Sequence, residues 1–565
     1  KMKRISILLF LILLSINCFS QTNYYVSPSG NDINNGTISS PWKTIQHSLN
    51  NMTGNSILNV AGGVYNEKIQ ISLSNITIKN QTSTTPVIDA TGINSQNSII
   101  SVINKNSITI DGLELRNNIQ NDAQGILIEG LCNSITIKNC IIHDIHFSSN
   151  PSAPVNASTN AQGIIVYGTN PTTAISNLNI ENNQLFNCRL GYSEGIAING
   201  NIDGFEVKNN IVHDITNIGI DLIGHEGTCS SPVNDQARNG IVKNNTIYNC
   251  ISPYATSGGI YIDGGKSIIV ENNKSYHNGY GIEIGCENIG KTTDAITIRN
   301  NIFYDNQICA IALGGFAFPS GSGKVTNSTI RNNTCFSNDF TNSGNGELYL
   351  SYSENSIIEN NIFYTNTNNN FAYAELTQPN LISNYNTFYC PGGANNLYSN
   401  WNGSNYNGYS AFITGTSSNT NSIFTNPNFT LANITTPDFH LLSNSLAINA
   451  GKPSFMAATN ETDFFGELRI EGSVVDCGAD EFGTTLNNTT FETVNHIKIY
   501  PNPTSDYVYF IGLNENVEIS LFSSNGTKLR ETKKMFLNIQ DLPNGLYFLK
   551  ITEGNNIYTN KIIKK

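Results

Sequence analysis

The chain has 565 residues, room for a large core and more than one domain; only 13% are charged, glycine numbers 47, and asparagine is abundant throughout. That balance suits short strands joined by many turns, and neither a helical enzyme nor a disordered chain. A formal net charge of −12 argues against nucleic acid as a partner, and an acidic glycan would need a bound cation or a local basic patch.

Lys1 to Arg4 followed by the apolar run Ile5 to Ile16 has the form of a secretory signal, with small residues around Ser20 for cleavage, so residues 1–20 read as a signal peptide. Cys18 offers a lipoprotein alternative, against which Asn17 counts. No other segment approaches the ~20 apolar residues of a membrane span, so the mature chain is expected to carry no transmembrane segment. Its ten cysteines match neither a compact disulfide scaffold nor a zinc site and read as buried small hydrophobes. Cys229 and Cys286 are the pair to suspect of bonding, since each follows an acidic strand.

Next, Ser40 as N-cap, Pro41 at the first helical position, and Trp42, Ile45 and Leu49 on one side predict a short amphipathic helix. A helix there would close the open end of a stack of strands.

An internal repeat then runs through the chain: Leu178-Asn179-Ile180-Glu181-Asn182-Asn183, Phe205-Glu206-Val207-Lys208-Asn209-Asn210, Ile269-Val270-Glu271-Asn272-Asn273, Ile296-Thr297-Ile298-Arg299-Asn300-Asn301 and others. Asn245, Asn273 and Asn301 follow one another at intervals of 28 residues. A coil of three short strands fits that period. At its turns, asparagine tolerates the left-handed conformation and can bond to the equivalent amide one rung away, giving an asparagine ladder. His213 and His277 lie in the segment after each pair and read as structural.

Three segments of one shape carry the unusual chemistry: Gly219 to Glu226, Gly259 to Gly265 and Gly281 to Glu287. Each opens Gly-Ile and alternates, so Ile220, Leu222, Ile260, Ile262, Ile282 and Ile284 point inward while Asp221, His225, Tyr261, Asp263, Glu283 and Glu287 face out. The Gly-Ile strands of neighbouring coils, beginning at Gly125, Gly163, Gly195 and Ala310, are poor in acids at the outward positions that follow. Gly264, Gly265, Gly285, Gly314 and Gly315 would keep the floor of a groove open. Stacked strands about 4.8 Å apart would bring the carboxylates within the range needed for acid-assisted glycoside cleavage. Asp263, Glu283 and Glu287 are the expected catalytic residues; Asp221, His225, Glu226, Tyr261 and Arg238 are expected to bind substrate, and no metal is required. Two other readings stay open. A polysaccharide lyase would use the acids to hold Ca²⁺ and need a base from Lys266, His225, Tyr261 or Arg238; an adhesin would only bind cations or glycan.

Several stretches resemble known families. Tyr24 to Asp32, Pro41 to Leu49 and Val60 to Glu67 resemble the opening of secreted right-handed parallel β-helix proteins of the pectate-lyase-like superfamily, which act on polysaccharides. The resemblance implies an all-β fold, a right-handed parallel β-helix over 21–482. The strands Gly259 to Asp263 and Gly281 to Glu287 resemble the Asp-then-Glu arrangement of the β-xylosidases of glycoside hydrolase family 120, which implies Asp263 as nucleophile or base and Glu283 or Glu287 as acid. After a Tyr- and Asn-rich stretch that covers the end of the core, Pro437 to Phe482 resembles the closing segment called choice-of-anchor Q, with structural acids. A linker, 483–495, leads to residues 496–565. There Ile497-Lys498-Ile499-Tyr500-Pro501-Asn502-Pro503, Ser523-Ser524-Asn525-Gly526 and Leu542-Pro543-Asn544-Gly545-Leu546-Tyr547 resemble the C-terminal sorting domain of the type IX secretion system. This implies a small C-terminal β-sandwich, the type IX machinery as partner, and a secreted or surface-attached protein.

Overall fold

The computed structural model describes residues 21–483, 498–511, 517–523, 527–553 and 556–565, so the expected leader and nearly all of the expected linker lie outside the described residues. The chain forms two compact units, Lys1–Gly483 and Thr484–Lys565.

The first unit is a parallel β-helix. One face is a 13-stranded parallel sheet running from Thr22–Val26 to Ile382–Asn384. The other two faces join into one network of 24 strands, because Gln184–Gly200 and Ile211–Ile223 bend around the corner between them without breaking. The Gly-Ile strands stack in register, with Ile126, Ile164, Ile196, Ile220, Ile260, Ile282 and Ile311 in one inward column. All seven are fully buried. Each such side chain contributes roughly 1.5–3 kcal/mol by leaving water, and β-branching suits it to the pleat.

The paired asparagines divide two tasks between them. The first of each pair, such as Asn209, Asn244 or Asn272, turns the corner at φ of 55–57°. The second faces inward and makes the ladder. Asn245 donates from its backbone N–H and its Nδ2 to Asn273 Oδ1 (both 2.9 Å), and Nδ2 also bonds the Val207 carbonyl. The same pattern links Asn183 to Asn210, Asn210 to Asn245, Asn273 to Asn301, Asn301 to Asn333 and Asn333 to Asn361.

Outside the core, stacked side chains also pair with their neighbours. His143, Phe186, His213, Tyr248, Tyr276 and Tyr304 form a continuous pile of rings with centroids 4.7–5.2 Å apart, which gives His213 the structural place expected of it. On the 13-stranded sheet, Lys138 pairs with Asp111, Lys208 with Glu181 and Arg299 with Glu271 across adjacent rungs.

The N-terminal helix is shorter than expected, Ile45–Asn51, with Thr44 as N-cap and Trp42 outside it. Carboxylates from elsewhere set that start. Asp32 Oδ1 accepts the Lys43 and Thr44 N–H groups, and Glu67 accepts those of Ile45 and Gln46. Trp42 instead stacks on Tyr24. At the other end Phe371, Phe388, Trp401 and Phe412 close the core, the last from the helix Tyr409–Thr416. The segment from Phe429 to Phe482 is not an end cap; it runs back along the side of the helix, packing Phe429, Phe439 and Leu441 on Tyr304, Phe336 and Ile362. Its acids bind the scaffold. Glu461 accepts both Arg331 Nη atoms at 2.7 Å; burial alone would raise this carboxyl, but Arg331 outweighs it and holds the pKa at about 2. Arg469, 1% exposed, pairs with Glu481 at 2.9 Å.

The ten cysteines among the described residues are all buried thiols, as small hydrophobes would be. The suspected Cys229–Cys286 bond is not formed: Cys229 Sγ faces the Asn170 carbonyl and Cys286 Sγ that of Asn288. Among the described residues no helix is long and apolar enough to cross a membrane.

The second unit packs a three-stranded and a four-stranded antiparallel sheet around Val508, Phe510, Ile519, Leu521, Leu549 and Ile551, a small β-sandwich.

The division of labour within the asparagine pairs is testable. Asn245→Ala strips partners from the Asn210 amide groups and the Val207 carbonyl and should cost about 3 kcal/mol. Asn244→Ala, at an exposed turn, should cost only about 1–2 kcal/mol, and Asn244→Gly less. Shifts in the denaturant midpoint measure both; equal costs would contradict the assignment.

Candidate active site

The three acidic strands stack as neighbours. Asp221 pairs with Tyr261 and Tyr261 with Glu283 in one outward column, while Ile220, Leu222, Ile260, Ile262, Ile282 and Ile284 are fully buried inside. Asp263 lies two residues beyond Tyr261. Glu287 follows the strand Tyr280–Gly285, and its backbone N–H donates to Asp263 Oδ1 at 2.8 Å. The Tyr261 hydroxyl donates to Glu287 Oε1 at 3.3 Å.

Two of these side chains point out of the coil yet are buried, Asp221 at 3% and Asp263 at 5% exposed. Loops between strands raise walls around them, and residues such as Tyr192, Glu226, Thr228, Thr256 and Phe316 help to enclose a cavity of about 1120 Å³. Glu226 is held at the wall by Asn288 Nδ2. The loop that carries it is pinned by Asp235, whose two oxygens accept the Gly227 and Cys229 N–H groups.

Among the described residues seven carboxylates line this cleft, those of Asp122, Glu194, Asp221, Glu226, Asp263, Glu283 and Glu287, and no Lys, Arg or His does. For Glu194, Asp221, Asp263, Glu283 and Glu287 burial is the first cause of an upward shift, and repulsion by neighbouring carboxylates adds to it. Glu283 is pushed up to about 8 by desolvation and then by Glu287. Desolvation, and then Glu194, raises Asp221 well above the usual carboxylate range; desolvation, and then Glu287, does the same for Asp263. Glu287 sits at the exposed side; its shift is also upward, from desolvation and Glu226, and is countered by the Tyr261 hydroxyl.

Two expected binding residues lie elsewhere. His225 leaves the strand at φ of 70°, and its Nε2 meets the Thr292 carbonyl at 3.3 Å behind the cleft wall. Arg238 is on the 13-stranded sheet, in Ala237–Lys243, bonded to Asp203 Oδ2 at 3.1 Å and Asn201 Oδ1 at 2.8 Å. Lys266, a possible lyase base, bridges Arg238 and Asp294 on that same sheet. The glycines expected on the floor serve the backbone instead: Gly264 has φ of 76°, a Cβ on Gly315 would lie 1.9 Å from the Gly323 carbonyl, and Gly285 makes room for the Tyr261 ring. Of the five, Gly314 lines the cleft.

Glu194 was missed. Desolvation, and then Glu287 and Glu226, raises it to about 8. Its signal was present in the sequence, one residue before Gly195-Ile196, whereas outward positions were counted only after each glycine. Asp122, Gln124 and Gln162 likewise precede the Gly-Ile pairs at Gly125 and Gly163 and line the same cleft.

Ca²⁺ takes six to eight oxygen ligands at about 2.3–2.6 Å. Among the described residues the one trio of potential ligand atoms within 4.8 Å of one another is Asp463, Glu467 and Asp480, in the lateral segment and not in the cleft. Asp463 there already accepts the Phe465 and Glu467 N–H groups, and Asp480 that of Leu441.

Residues 233–446 match the family model described as right handed beta helix region, and residues 498–565 match the secretion system C-terminal sorting domain. The tail marks the protein for the type IX secretion machinery, so it is secreted, or attached to the outer-membrane surface. The uncharacterized protein YwoF of Bacillus subtilis (strain 168) is 33% identical over 427 residues, covering 72% of this chain and 88% of YwoF. Among solved structures, the complex of XylC with xylose is similar at 13% identity and a TM-score of 0.43, covering 65% of this chain and 84% of that one. The pectate lyase Pel9A is similar at 16% identity and a TM-score of 0.42, covering 82% and 97%.

The crowded acids should leave a signature in stability. Glu194 and Glu283 hold protons to about 8 when folded, against 4.5 when free, so the folded state binds more protons between those values. Their contribution is therefore complete below about pH 4.5 and lost as pH rises through 8. Unfolding free energy measured across that window should fall with pH, and the double variant Glu194→Gln/Glu283→Gln should flatten the slope.

Proposed function

Given that this chain belongs to one family with Bacillus subtilis YwoF and carries its cleft on an exported right-handed β-helix, we propose that it is a polysaccharide-degrading glycoside hydrolase. The observation that carries the reading is the pairing of an enclosed carboxyl, Glu283, with a more exposed, hydrogen-bonded one, Glu287, in a cleft that no cationic side chain lines.

Glycoside cleavage needs one carboxyl that still holds its proton and one that has lost it. Asp263 and Glu287 come from adjacent rungs, and two anions about 4.8 Å apart repel by about 3.5 kcal/mol at an effective dielectric of 20. The cluster therefore ionises where water and donors help most. Glu287 has the solvent and the Tyr261 hydroxyl, so the first negative charge settles there, and Glu283 keeps its proton to about 8. Glu283 then protonates the leaving-group oxygen. Glu287 attacks the anomeric carbon or takes the proton of an attacking water. Asp263, bonded to the Glu287 backbone, positions that segment, a change from the nucleophile or base role that resemblance implies for it.

A lyase acting on a uronate would need a base and a counter-ion for the acid group. Of the bases considered, His225, Arg238 and Lys266 lie outside the cleft lining, and Tyr261 within it has its phenol driven well above its ordinary pKa by burial and then by Asp263.

The test is turnover on a panel of polysaccharides. Glu283→Gln and Glu287→Gln should each lose about 10³-fold or more in kcat with the fold intact. The pH profile should be bell-shaped, falling on the alkaline side near 8 as Glu283 ionises, and that limb should vanish in Glu283→Gln. Full activity in either variant would contradict the assignment.

A further inference from the structure

Three buried acceptor atoms lining the cleft have no hydrogen-bond partner: Gln124 Oε1, Gln162 Oε1 and Asp221 Oδ1. Their residues are 7%, 6% and 3% exposed. A lone buried acceptor is disfavoured, so such atoms are rare unless something else supplies the donor. The Gln162 amide is also held in place: its Nε2 donates to Ser193 Oγ at 3.1 Å, and that hydroxyl donates to Asn160 Oδ1 at 3.0 Å, which leaves Oε1 without a donor on a residue that lines the cleft. Gln124 pairs with Gln162 on the adjacent rung.

The two glutamines are remote from the acids proposed to react. From the strand of Gln162 the stack passes through Gln184–Gly200, Ile211–Ile223 and Gly258–Asp263 to Tyr280–Gly285, which carries Glu283. Four rungs are about 19 Å along the helix axis, and Gln124 is one rung further, about 24 Å. A single sugar at Glu283 could not reach either amide.

We propose that Gln124 and Gln162 form a distal subsite that reads the hydroxyl groups of an extended glycan bearing no acid groups. This rests on the glycosidase reading above and adds a substrate class to it. Every orphaned atom in the cleft is an acceptor, six more carboxyl groups line it besides that of Asp221, and among the described residues no lining side chain is a cation. The orphaned acceptors call for donors, which sugar hydroxyls supply and which carboxylate or sulphate groups do not, and no cation in the lining would offset the charge of an anionic chain. Two exposed aromatic side chains, Tyr192 on the strand Gln184–Gly200 and Phe316 on a loop, lie among the lining residues and offer rings on which an uncharged pyranose can stack.

The test uses the full chain carrying Glu283→Gln, so that binding is read without turnover. An array of immobilised xylan, mannan, β-glucan, galactan and arabinan, with polygalacturonate and alginate in the presence and absence of Ca²⁺, gives the preference; titration with the hexasaccharide of the best ligand gives the affinity. Retention on an uncharged polymer is expected, and Gln124→Leu/Gln162→Leu should weaken hexasaccharide binding at least about tenfold with the melting temperature preserved. Gln124→Met serves the same comparison if the double variant does not fold. Retention only on acidic polymers, no retention on any uncharged one, or unchanged affinity in the glutamine variants would overturn the proposal. An unmutated protein that binds an uncharged chain through these residues without cleaving it would remove the glycosidase reading and leave the subsite standing.

Discussion

Parallel stacking in register is the constraint on which the rest of this molecule depends. Every outward or inward position meets its equivalent one rung away at about 4.8 Å, so a residue type must be compatible with itself or with its alternate. Asparagine meets the condition alone, since its amide both donates and accepts, and the ladder from Asn183 to Asn361 is the result. Flat rings meet it by stacking, from His143 to Tyr304. Charges meet it by alternating sign, as in Lys138 over Asp111 and Arg299 over Glu271.

The cleft breaks that rule. Asp221, Tyr261 and Glu283 follow one another in a single column with Asp263 and Glu287 alongside, and no positive charge lines the space. Local rules fail where a protein does something other than fold. The scaffold tolerates the conflict because the acids need not all ionise: held among walls, they share protons instead of repelling as full charges. In the glycosidase reading proposed above, a proton held this way is the one Glu283 gives to the leaving-group oxygen.

Much of this was legible in the sequence because the repeat is. The Asn-Asn pairs mark corners, and the Gly-Ile pairs mark a strand whose inward and outward residues follow by counting. Asp221, Tyr261, Asp263, Glu283 and Glu287 were placed that way, and all line the cleft. What counting could not reach was anything set by distant chain. The helix start depends on Asp32 and Glu67. His225 faces outward by alternation but is drawn off by the Thr292 carbonyl, and Arg238, expected at the substrate, is bound to Asp203 on another sheet. Glu194, Gln124 and Gln162 fell on the unexamined side of their glycines. The walls that bury outward acids come from loops with no periodicity, so the burial that shifts their protons had no sequence signal at all.

The central claim is that paired carboxylates hydrolyse a glycosidic bond here, and following the oxygen tests it most directly. Digestion in water enriched in heavy oxygen, read by mass spectrometry of the products, should show one labelled oxygen at each new reducing end. Products without the label that instead carry a double bond and absorb in the ultraviolet would show elimination and contradict the account.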